Sequence, residues 1–231
     1  MKQLSQIIRR LAPKKDIIVE SDVTVYDVTA FAGEIDLEPL AVIKWAPMWM
    51  SRAERLLIYT LTFTLRPSRY LEIGTFQGGS ALVVNAAMDA LGSDGRIICV
   101  DPEPRIAPEN WQKIERRASL ITGYSPEALP QAVDVAGGPF DFVLIDGDHT
   151  YNGVVRDANG VLPYVADGAY LLFHDSFFVD VARGIRDFAR QNADQLVDFG
   201  SLTREVTFQK SAQGELVRWG GLRMMQVRRY K

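Results

Sequence analysis

Cysteine and histidine are scarce in this chain: one and two, respectively, among 231 residues. Cys99 has no partner for an internal disulfide, so a reducing, cytoplasmic setting is the expectation. A broad basic field is also missing. Lys and Arg number 26 against 29 Asp and Glu, a net charge of −3, which argues against a nucleic-acid partner. The basic pairs Arg9-Arg10, Lys14-Lys15 and Arg228-Arg229 read as solvated surface near the ends. Long apolar runs are absent too. The longest, Leu56 to Leu65, is broken by threonines and falls short of the ~20 residues a membrane span needs. The first residues lack the apolar core of a secretion signal. No repeat or low-complexity tract occurs. The balance, 47% apolar and 24% charged, is that of a globular protein. It implies one large domain or a domain with an appendage.

What is present centres on Tyr70 to Ala81, YLEIGTFQGGSA. Ser68 to Ile73 reads as a strand; Gly74 and the pair Gly78-Gly79 allow a tight turn that approaches a ligand closely. From Ser80 the pattern is helical, with Leu82, Val83, Ala86, Ala87 and Ala90 on one side. Strand, glycine-rich turn and helix open a doubly wound α/β sheet. The spacing is Gly-x-x-x-Gly-Gly, unlike the Gly-x-Gly-x-x-Gly of dinucleotide sites. Glu72 would repel a pyrophosphate, which binds bare N–H groups at a helix start. The same carboxylate would attract an ammonium group. S-adenosylmethionine carries that group and a sulfonium without phosphates, and is favoured over NAD.

The pattern on either side supplies the remaining elements. Leu4, Ile7, Ile8 and Leu11 fit a short helix, and Ile17 to Ala30 looks extended. Trp45, Met48, Trp49 and Met50 either pack in the core or form a lid over an acceptor pocket. Ser51-Arg52-Ala53-Glu54 matches a capping box, starting a helix that runs to about Leu65. Residues 1–66 thus read as an N-terminal extension and 67–231 as the main domain. Arg96 to Val100 is a buried strand ending at Asp101, where an acidic side chain reaches ribose hydroxyls in such sheets. Asn110 to Ala118 reads as a helix and Ser119 to Thr122 as a third strand. The loop Gly123-Tyr124-Ser125 follows; Ser125 either caps a helix through Ser125-Pro126-Glu127 or contacts a base beside Tyr124.

Phe140 to Ile145 is the fourth strand, ending in Asp146-Gly147-Asp148-His149-Thr150-Tyr151. After a helix to about Leu162, Ala169 to Phe173 is the fifth, ending in His174-Asp175-Ser176. Both histidines of the chain stand beside an aspartate just past a strand's C-terminal end, the edge where open parallel sheets bind ligands. A helix over Val179 to Asn192 and strands over 206–210, 215–219 and 222–227 complete a Rossmann-like α/β sheet. It is expected to be mostly parallel with an antiparallel C-terminal edge.

Together these motifs make the chain resemble class I S-adenosylmethionine-dependent methyltransferases. It is most similar to bacterial enzymes of sugar and natural-product O-methylation, and more distantly to catechol and caffeoyl-CoA O-methyltransferases. The resemblance spans roughly Tyr70 to Asn192. It implies that Glu72, Gly74, Thr75 and Gly78 hold the methionine end of the cofactor, that Asp101 binds its ribose, and that Tyr124 and Ser125 line its adenine. Asp146 would serve cofactor and metal together, with Asp175 as the second ligand of a divalent ion, Mg or Mn. Participation by His174 would suit manganese, iron or zinc better. The acceptor would be a small molecule bearing a hydroxyl, and similar enzymes are commonly homodimers. His149 would take the acceptor's proton near neutral pH, with Asp148 orienting it or acting as base instead. Three alternatives use the same residues: an NAD-dependent oxidoreductase, a metal-dependent hydrolase, and a non-catalytic protein that has kept the fold.

Overall fold

Alternation along the strands decides which helix lies on which face of the sheet. The computed structural model describes residues 38–211 and 214–229; the helix expected near Leu4 and the extended segment from Ile17 lie outside them. On β1 (Arg69–Ile73), Leu71 and Ile73 join one core cluster while Tyr70 joins the other. Strands β2 (Arg96–Asp101) and β4 (Phe140–Ile145) divide likewise: Ile98, Val100, Val143 and Ile145 against Ile97, Cys99, Phe142 and Leu144. The second face is covered by α1 (Arg52–Leu65), α2 (Gly79–Ala90) and α3 (Pro108–Ile114). The first face is covered by α4 (Leu129–Ala136), α5 (Tyr151–Val161) and α6 (Val179–Gln191). Helices on both faces are what buries a parallel sheet.

With β3 (Ala118–Thr122), β5 (Val165–Phe173), β6 (Leu196–Ser201) and β9 (Arg223–Val227), the sheet has seven strands in the order β3-β2-β1-β4-β5-β9-β6. The five strands β1 to β5 are parallel, and β9 runs antiparallel between β5 and β6. The antiparallel C-terminal edge is therefore present, but it is not built as expected. Of the three strands expected there, only β9 joins it. Strands β7 (Thr207–Lys210) and β8 (Leu216–Trp219) form a separate two-stranded sheet. Their side chains, exposed on β7 and alternately exposed and half-buried on β8, join neither core cluster. The edge place is taken by β6, whose mostly exposed Leu-Val-Asp-Phe-Gly-Ser has no clean apolar alternation.

Two further boundaries move. Helix α3 stops at Ile114 and β3 already starts at Ala118. Ser125 caps nothing: it sits in a turn, and α4 begins at Leu129 without a side-chain cap. The Ser51 capping box forms as the sequence requires, with Glu54 accepting from the Ser51 N–H at 2.6 Å and Ser51 Oγ accepting from Glu54 N–H. Because β1 pairs with both β2 and β4, the chain reverses direction across the sheet between them. The crevice opens at their C-terminal ends.

Candidate functional site

The turn after β1 lies directly against the turn after β4. A Cβ on Gly74 (φ +87°) would stand 2.1 Å from the Asp146 carbonyl oxygen, inside backbone that cannot yield. Gly78 (φ +75°) takes the left-handed conformation as the N-cap of α2. Gly74→Ala is expected to lower stability by roughly 3 kcal/mol or more and to abolish nucleoside binding. Thermal denaturation with and without S-adenosylhomocysteine checks both; a variant that keeps wild-type Tm and affinity contradicts the packing.

Glu72 points to the α2 face and is wholly buried. It accepts from the Tyr70 hydroxyl at 3.0 Å, and its other oxygen has no partner. It does not line the cavity; the residues that do so here are Thr75 and Ser80, whose hydroxyls sit close enough to favour its ionised form. Burial nonetheless pushes its carboxyl up to about 7. Ser80 was not anticipated, although it directly follows the glycine pair.

At the end of β2, Asp101 is nearly buried and lines the cavity. Its two oxygens accept from the Phe76 and Glu103 N–H groups, each at 2.7 Å. Those bonds tie the loop after β1 to the loop after β2 and fix the carboxylate. Tyr124 and Ser125 also line the cavity, Tyr124 largely exposed. Ser125 Oγ is buried, close to Asp157, and meets no partner at hydrogen-bond geometry.

The ends of β4 and β5 bring both histidines together. His149 Nε2 lies 3.0 Å from Asp175 Oδ2 and 3.5 Å from Asp146 Oδ1. His174 Nδ1 lies 2.9 Å from Asp146 Oδ1 and 3.4 Å from Asp175 Oδ2. One donor atom from each of the four residues falls within 4.8 Å of the others. Burial alone would raise the Asp146 carboxyl, but the two imidazoles overcome it and hold it at about 2. Burial disfavours the charged form of His149, yet the bonds and charges of Asp146 and Asp175 lift it to about 9. His174 is likewise raised well above the ordinary range, against its burial, by Asp146, Glu54 and Asp175.

Asp148 stands apart from this cluster. Its oxygens accept from the Thr150 N–H and hydroxyl at 2.9 and 3.0 Å, so the imidazole of His149 is oriented by Asp175 and Asp146 instead. Glu54 reaches the cluster from α1, with Oε2 3.7 Å from His174 Nε2. Its Oε1 accepts from the Gly221 N–H. Asp175 itself has φ +49°, a conformation unusual for a side-chain-bearing residue, and accepts from the Gly220 N–H.

These pieces enclose a cavity of about 940 Å³ whose wall includes Pro47, Met48, Trp49 and Met50. Met48, Trp49 and Met50 thus face the crevice, with Trp49 82% exposed and edge-on to Phe76 at 6.0 Å, whereas Trp45 lies outside it with Lys113 over its ring. Residues 71–176 match a family described as a methyltransferase domain. The chain carries a methyltransferase domain. That stretch runs from within β1 to just past β5 and includes the whole histidine–aspartate cluster. The chain is similar to a catechol O-methyltransferase of Niastella koreensis, with 34% identity over 34% of this chain and 36% of that one. It is also similar to a rhamnosyl O-methyltransferase of Mycobacterium bovis, with 22% identity over 55% of this chain and 54% of that one. It therefore spans about half or less of the length of these curated relatives. The methyltransferase fold extends beyond the matched stretch. The O-methyltransferase from Bacillus cereus, solved with SAH, superposes over 90% of this chain and 94% of that one with a TM-score of 0.59 at 21% identity.

Proposed function

We infer that the protein transfers the methyl group of S-adenosylmethionine to a hydroxyl oxygen of a small molecule. The observation that carries this is the charge of the cavity. Among the described lining residues seven are acidic, from Glu54 to Glu205, and Arg156 is the one Lys or Arg. A pyrophosphate would meet repulsion there; an ammonium and a sulfonium would meet attraction. The buried, half-unpartnered Glu72 beneath Thr75 and Ser80 suits the amino-acid end, and Asp101 suits the ribose. The names of the catechol and rhamnosyl relatives support oxygen as the accepting atom.

In the reaction a lone pair of the acceptor oxygen forms the O–CH3 bond as the C–S bond breaks. The C–S electron pair stays on sulfur, leaving neutral S-adenosylhomocysteine. The chain's task is alignment and removal of one proton. With His149 Nε2 bonded to Asp175, Nδ1 takes that proton in the neutral form of the ring, which gains population as pH rises towards about 9. The carboxylates that raise this ring's pKa stabilise the imidazolium formed. The two carboxylates and two imidazoles of the cluster also fit the donor set of a divalent transition metal. Held by Asp146, Asp175, His149 and His174, such an ion would supply a lowered hydroxyl pKa. Incubation with S-adenosylmethionine and a panel of hydroxylated acceptors, followed by mass spectrometry, tests the reading. One S-adenosylhomocysteine per +14 Da product is expected; S-adenosylmethionine left intact across the panel contradicts it.

A further inference from the structure

The β7–β8 hairpin lies outside the matched stretch of the methyltransferase domain, yet it forms one wall of the cavity. We propose that its inner face is the acceptor-recognition subsite and that it is built for a glycosyl ring. This rests on the methyl-transfer reading above and names its substrate class. Period-two alternation separates the hairpin's side chains. Thr207, Gln209 and Trp219 line the cavity, whereas Phe208 and Leu216 are exposed and do not. Thr207 and Trp219 stand directly opposite each other in the pairing.

The wall is held in register with the reacting groups. Trp219 stacks on Phe178 with ring centroids 4.4 Å apart and planes 6° from parallel, and presents an edge contact to His149 at 5.5 Å. Immediately after it, Gly220 and Gly221 (both φ +95°) donate their N–H groups to Asp175 and Glu54. A Cβ on Gly221 would lie 2.4 Å from the Phe177 ring, so the chain between β8 and β9 can pass this close only without a side chain. The hairpin's inner residues are thereby placed beside His149.

Thr207 and Gln209 make no side-chain hydrogen bond among the described residues. Gln209 thus offers an amide donor pair and an acceptor, and Thr207 a hydroxyl, to whatever fills the space. A pyranose matches this pattern: a rim of hydroxyls for the amide and hydroxyl, beside the indole of Trp219. A catechol has only two hydroxyls, one of them the accepting oxygen, and would cover Thr207 and Gln209 with an apolar edge. Polar groups covered without partners weaken binding. The Met48 and Trp49 wall remains for an apolar aglycone.

The test offers p-nitrophenyl α-L-rhamnoside, α-L-fucoside and β-D-glucoside as acceptors, with catechol as the aromatic arm. Wild type is expected to methylate at least one glycoside with higher kcat/KM than catechol. Gln209→Ala should raise the glycoside KM about tenfold and Thr207→Val about threefold, each with kcat within about twofold. The affinity for S-adenosylhomocysteine should stay unchanged in both. Preference for catechol, no methylation of any glycoside, or an unmoved KM in Gln209→Ala overturns the subsite while cofactor binding persists. Failure of wild type to bind S-adenosylhomocysteine instead removes the methyl-transfer reading, and this inference with it.

Discussion

Replacing His149 with Ala is expected to lower kcat for methyl transfer about 10³-fold, within the span that general-base removal gives. The affinity for S-adenosylhomocysteine should remain within about twofold of wild type. The separation follows from where the ring sits. His149 is bracketed by Asp175 at 3.0 Å and Asp146 at 3.5 Å, at the ends of β4 and β5. The groups proposed to face the nucleoside, Asp101, Tyr124 and Ser125, come from the ends of β2 and β3. Removing the imidazole leaves the Asp146–His174 bond in place, so Asp146 keeps a partner. His149→Asn, which restores a donor but not a base, should recover Tm without recovering rate. A variant with unchanged kcat takes His149 out of the reaction.

Glu72→Gln is expected to act in opposite directions on stability and on binding. Burial raises the Glu72 carboxyl from 4.5 to about 7 in the folded chain. A carboxyl raised on folding contributes stability that is complete below its unfolded pKa and disappears as pH climbs through the folded value. At pH 8 the wild-type ligand-free protein therefore carries a buried charge costing about 3 kcal/mol. The amide removes that cost, and its oxygen can still accept from Tyr70. The variant should gain little at pH 4 and roughly 5–10 °C in Tm at pH 8. Binding of S-adenosylmethionine should weaken at least tenfold, because the ammonium loses the opposite charge beneath Thr75 and Ser80. A variant that is less stable at pH 8 and binds as tightly as wild type contradicts both halves.

How much of this was legible depended on whether the signal was local. The strands β1 to β5 are short apolar runs bounded by turns, and each appears near its expected place. The Ser51 capping box needs four consecutive residues, so α1 begins where it must. Glu54, however, uses its second oxygen on Gly221 and approaches His174, partners far along the sequence. A capping-box glutamate carries no mark of that second duty. Glu72 lies next to the end of β1, a place that implies a carboxylate facing the ligand. Strand alternation instead turns it towards α2, where Ser80 and Thr75 separate it from the crevice. Asp148 adjoins His149 in sequence, yet Thr150 claims its carboxylate two residues on. The orienting carboxylates come from Asp146 and Asp175. The hairpin misled for a different reason: its alternation is real, but it sorts cavity from solvent, not core from surface.

The central claim is that an acid-lined crevice at the ends of β1 and β2 holds a cationic nucleoside and refuses a pyrophosphate. Parallel calorimetric titrations of the same protein with S-adenosylmethionine and with NAD test it most directly. Saturable one-to-one binding of S-adenosylmethionine, with no heat from NAD at the same concentrations, is the predicted result. Saturable binding of NAD with none of S-adenosylmethionine would contradict it.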